Sequence, residues 1–143
     1  MNDRCSLLIL QIVFRRPSVT GDSMKEVLEN VARHALAVLL VFIFLVSVFV
    51  SLTNPESYFF GEKLSGEKAI IHLLAGGITG MAIAYLLFKK KSGGEILSTF
   101  YFAYFSIETL IANLSLGFGL LPSPLFTTGL AISTVLLVLR KVK

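Results

Sequence analysis

The chain has 143 residues, of which 55% are hydrophobic and only 15% charged, with a mean hydropathy of +0.79. Soluble domains carry about a quarter charged residues, so this balance excludes an ordinary water-soluble globule and points to an integral membrane protein. The formal charge of +4 is assigned to topology and anionic headgroups rather than to nucleic acid, and the single cysteine, Cys5, excludes an internal disulfide and a cysteine metal cluster.

Residues 1–23 read as an N-terminal extension. Ser6 to Phe14 is apolar but too short to span, and Arg15-Arg16-Pro17 stands where a signal-peptide cleavage site should be. Met24 opens a natural-looking start, with Gly21-Asp22-Ser23 before it encodable as a ribosome-binding sequence. Translation is therefore expected to begin at Met24, leaving 24–143 as one membrane domain.

A bilayer core about 30 Å thick needs about 20 apolar residues in helix. Four segments approach this, and the expected fold is all-α: a bundle of four transmembrane helices. The first span is placed at 34–52, ended by Asn54-Pro55, because proline disfavours helix in the residue before it. Arg33 and His34 at its start are read as snorkelling to the surface. Tyr58-Phe59-Phe60, in the loop that follows, reads as an interfacial anchor.

The second span is placed at 69–88, stopped by Lys89-Lys90-Lys91, and the third at 96–116, after the breakers Ser92-Gly93-Gly94. The fourth, at 124–139, is short. Ser123-Pro124 marks its start, with serine as N-cap and proline at the first helical position. Of the 13 Lys and Arg, only Lys63 and Lys68 fall in the first loop; the rest lie before the first span, in the lysine loop or in the tail. The positive-inside rule then puts both termini in the cytoplasm.

Small residues recur every four positions in the second span, at Gly76, Gly80 and Ala84, and again at Gly129 and Ser133 in the fourth. Such seams let helices approach closely, here expected within the chain rather than between copies.

Ionisable groups inside a bilayer are costly and usually face a partner or a cavity. Glu108 lies deep in the third span, and at 100° per residue Tyr101, Tyr104, Ala112 and Ser115 share its face. His72 opens the second span from the same side of the membrane, with Gly76 and Thr79 on its face. The candidate polar site is therefore His72, Glu108, Tyr101, Tyr104 and Thr79. No metal-ligand spacing, phosphate loop or nucleophile motif is present, so neither a metal nor a cofactor is expected.

Ser51-Leu52-Thr53-Asn54-Pro55, then Glu67-Lys68, His72 and Glu108, follow in the order seen in the VanZ-like family of small membrane proteins. The resemblance covers about Val38 to Ile111, half the chain. Departures are a histidine one residue further from the lysine, no glutamine after Glu108, and a fourth span without the usual Asp and Asn. The resemblance implies a multi-pass protein of the cell membrane tied to lipids or the envelope.

The function expected from these features is non-enzymatic: an outward-facing polar site meeting membrane lipids or a membrane protein partner. The alternative is a small oligomeric transporter or proton-coupled subunit using Glu108. A lipid-modifying enzyme ranks third, for want of a nucleophile.

Overall fold

The computed structural model describes residues 21–118 and 123–141; the expectations for residues 1–20, including the short apolar stretch, lie outside them. The described chain is mostly helical, with four helices: α1 (Gly21–Thr53), α2 (Glu67–Phe88), α3 (Ser92–Ser115) and α4 (Pro124–Lys141). Strands β1 (Glu56–Phe59) and β2 (Glu62–Ser65) lie between α1 and α2.

Helix α1 has 33 residues, so at about 1.5 Å per residue it extends to about 50 Å. It starts well before the expected span because Met24 to Arg33 is rich in helix formers. Glu29 and Arg33 also pair one turn apart, with Nη2 3.0 Å from Oε1. It ends at Asn54-Pro55, where the expected break falls. Helix α4 begins at Pro124, and the Ser123 carbonyl accepts the Thr127 amide at 3.1 Å.

Each helix packs on its neighbour in sequence and α1 also packs on α4, closing a four-helix ring. Leu36, Leu40, Leu87, Phe102 and Leu136 are fully buried at its centre. Leu45, Phe49, Ile78, Phe100, Ile107 and Val135 point outward and are exposed, the arrangement hydrocarbon favours and water penalises. Helix α2 and Ser23–Thr53 of α1 are long and apolar enough to cross a membrane. Pro124–Arg140 forms a shorter apolar helix.

Three expectations need correction here. The all-α expectation misses the hairpin, whose strands pair antiparallel from Glu56↔Ser65 to Phe59↔Glu62. Its two-residue turn, Phe60-Gly61, has φ of +47° and +89°, the left-handed values that a primed hairpin turn requires. Phenylalanine pays a steric cost there, and its ring rests edge-on against Tyr104 at 5.7 Å. The triplet Tyr58-Phe59-Phe60 thus belongs to a strand and its turn. Gly94, read as a breaker, sits inside α3. A Cβ at that position would lie 3.0 Å from the Leu87 backbone nitrogen, so glycine lets α3 start against the end of α2.

Arg33 is the third correction. It does not snorkel: it is only 8% exposed, and Nη2 reaches Glu95 Oε1 at 2.5 Å. Glu95, 1% exposed, also accepts from Arg140, so one carboxylate ties α1, α3 and α4 together at the end carrying the lysine loop. His34 beside it donates from Nδ1 to the Asn30 carbonyl, 2.7 Å away, and its ring meets Phe88 edge-on.

Candidate functional site

At the opposite end of the ring a cavity of about 320 Å³ opens beneath the hairpin. All four helices and β1 contribute to its wall: Ile43 and Ser47 from α1, Ser57 and Tyr58 from β1, and Phe126 from α4. His72 and Gly76 of α2 and Tyr101, Glu108 and Asn113 of α3 complete it.

His72 and Glu108, 36 positions apart in the chain, face each other here. The imidazole Nε2 lies 3.1 Å from Glu108 Oε1. Glu108 is 3% exposed, and its Oε1 has no aligned hydrogen-bond partner among the described residues. The contact is therefore a close charge-type approach, off the axis of a ring N–H bond. Such bonds often tighten only once a substrate is bound.

The other ring nitrogen, Nδ1, is 2.8 Å from Ser57 Oγ. Phe59 stands edge-on against the same imidazole at 5.6 Å. The hairpin thus holds the histidine ring from above while α3 meets it from below. Two proton arrangements satisfy this chain. Either Ser57 donates to Nδ1 and Nε2–H faces a carboxylate, or Nδ1–H donates to Ser57 and a protonated Glu108 faces Nε2.

The other residues named from the sequence divide. Tyr101 is buried and donates its hydroxyl to the Gly76 carbonyl at 3.1 Å, which fixes its ring as cavity wall. Tyr104 is 40% exposed and lies outside the cavity. Thr79 is exposed and returns its hydroxyl to the Ala75 carbonyl at 2.8 Å. Both line a neighbouring groove of about 410 Å³ along α2 and α3, which shares His72, Gly76, Tyr101 and Phe105 with the cavity. Ser115 also turns outward, bonding the Ile111 carbonyl, so the expected single polar stripe splits into inner and outer halves.

The small-residue positions meet this chain's own side chains. A Cβ on Gly76 would lie 2.9 Å from the Phe105 ring, and one on Gly80 would lie 3.2 Å from the Tyr101 hydroxyl. One on Gly129 would collide with Phe102, and Ala84 and Ser133 are buried. Ser57 is the residue that the sequence reading missed. Its one signal was Gly61, a hairpin-turn residue between two short segments, since the strand period then turns Ser57 and Phe59 toward His72.

Among the described residues, no group of three His, Cys, Asp or Glu side chains could hold a metal ion. Comparison with known proteins adds no relative to this picture: no family model matches the chain, no curated protein matches it, and no solved structure matches it.

Proposed function

We propose that the chain crosses the cell membrane four times, with both termini in the cytoplasm, and that its cavity receives part of a membrane lipid or envelope molecule from the outer side. The observation that carries this reading is the buried Glu108 carboxyl, held against His72 in a cavity whose remaining wall is largely apolar. A carboxyl group inside a bilayer is expensive, and such groups mark sites that meet a ligand, an ion or a proton path. The apolar outer faces of all four helices and the basic Lys89–Lys91 loop on the far side agree with this placement. So does the resemblance to VanZ-like proteins over half the chain.

The alternative of an oligomeric transporter draws less support. Small-residue seams are where membrane helices of separate copies meet closely, and the Gly76–Gly80 face is filled by Phe105 and Tyr101 of the same chain.

Native mass spectrometry of protein released from lipid nanodiscs tests the reading. Wild type should retain a lipid or envelope molecule, and Glu108→Gln and His72→Ala should lose it while keeping their helical circular dichroism. Equal retention in all three proteins would remove the cavity from the function.

A further inference from the structure

The cavity presents three groups in series: the Ser57 hydroxyl 2.8 Å from one nitrogen of His72, and the Glu108 carboxyl 3.1 Å from the other. A hydroxyl, an imidazole and an acid in that order are the parts of an acyl-transfer relay, which is recognised by geometry and roles rather than by sequence order. Here the serine faces Nδ1 and the acid faces Nε2. The imidazole serves equally in that orientation, because it needs only one nitrogen free to take a proton and the other held as N–H.

We infer that Ser57, His72 and Glu108 hydrolyse an ester of a membrane lipid. The inference rests on the reading of the cavity as an outward-facing lipid site, and it departs from the expectation of a non-enzymatic protein. The substrate class follows from the surroundings. The apolar groove along α2 and α3, lined by Ile83, Leu97 and Phe100, adjoins at His72 the cavity that holds Ser57, so an acyl chain lying there can reach the cavity with its ester beside the imidazole. With four spans crossing as proposed, the hairpin between α1 and α2 puts Ser57 at the membrane–water boundary, where lipid esters sit and water is available.

In the first half-reaction, Ser57 Oγ bonds to the ester carbonyl carbon and its proton passes to His72 Nδ1. The tetrahedral adduct collapses, the bond to the alcohol oxygen breaks, and that oxygen leaves with the proton from Nδ1. In the second, a solvent water adds to the acyl carbon and gives a proton to Nδ1. The bond from Ser57 Oγ to carbon then breaks, the serine recovers the proton, and the fatty acid leaves. Glu108 touches no reacting atom; it is a positioning residue whose carboxylate, close to Nε2 but off the N–H axis, stabilises the imidazolium by its charge.

The test is labelling of full-length protein in nanodiscs by a long-chain alkyl fluorophosphonate, read by intact mass and peptide mapping. One adduct on Ser57 is expected, absent in Ser57→Ala. Labelling in His72→Ala should slow by on the order of a hundredfold, the lower end of what a general base supplies. Glu108→Gln should slow it and Glu108→Asp should restore part of the rate, a rescue that a purely structural role would not produce.

Failure to label Ser57 in wild type with native circular dichroism overturns the inference, as does undiminished labelling in His72→Ala. If lipid is still retained in a Glu108-dependent way, only the chemistry falls. If it is not, the reading of the cavity falls as well.

Discussion

The Arg33 guanidinium lies 2.5 Å from a Glu95 carboxylate oxygen across 62 positions of sequence, and Arg140 bonds the other oxygen of the same carboxylate. Two arginines and one buried acid therefore close the bundle at the end away from the cavity. With Glu29 also on Arg33, the cluster is close to charge-balanced. That balance is the condition under which buried ions are tolerated.

Removing Glu95 should be among the most damaging single changes. Glu95→Ala leaves the buried Arg33 with Glu29 alone and takes the shared carboxylate from Arg140, and breaking a buried pair in this way costs about 3–5 kcal/mol. Arg140→Ala should cost less, because its side chain is 39% exposed. Thermal unfolding followed by circular dichroism in mild detergent ranks the two, and a larger loss in Arg140→Ala would contradict the assignment.

Gly129 permits α4 to lie against the fully buried Phe102 ring, where an added Cβ has no room. Gly129→Ala should destabilise by about 1–3 kcal/mol through overpacking. The double variant Gly129→Ala with Phe102→Leu should recover part of that loss, which a melting comparison of the three proteins would reveal.

The hairpin turn should be sensitive at Gly61 for two reasons. Its φ is +89°, and an added Cβ would collide with the Ser115 hydroxyl of α3. Gly61→Ala is expected to loosen the hairpin by about 1–3 kcal/mol while leaving the helices formed. Faster amide hydrogen exchange confined to 56–65 is the expected readout, accompanied by slower labelling of Ser57.

On the hairpin surface, Lys63 Nζ lies 2.9 Å from Glu56 Oε1. The hydrogen bond to Glu56, then its charge, raises the Lys63 pKa above the usual 10.5. The pair's contribution is thus fully present below 10.5 and lost as pH rises through the raised value. An NMR titration of the Lys63 side chain should give a midpoint that falls in Glu56→Gln.

Topology has its own test. In a Cys5→Ser background, Lys63→Cys should react with a membrane-impermeant maleimide on intact cells. Lys90→Cys should react only after permeabilisation. The reverse pattern would invert the orientation drawn from the Lys and Arg distribution.

Composition and periodicity alone determined that the chain is helical and apolar and where helices break at Pro55 and begin at Pro124, and they singled out His72 and Glu108 as costly groups in an apolar setting. These are local properties: hydrophobic run length, a proline at 55, and a serine–proline start at 123–124 act within a few residues of where they stand. Three features depended on the tertiary structure. Arg33 reads as a snorkelling residue until Glu95 and Arg140 arrive from two other helices. Tyr104 and Thr79 share a helical face with the site residues, yet helix packing turns them to the outer groove. Ser57 becomes the neighbour of His72 only because a two-residue turn sets the strand register, and a shift of one residue would point it away. Periodicity reports which face of an element is apolar, but a bond between residues 36 or 62 positions apart depends on how the elements are packed.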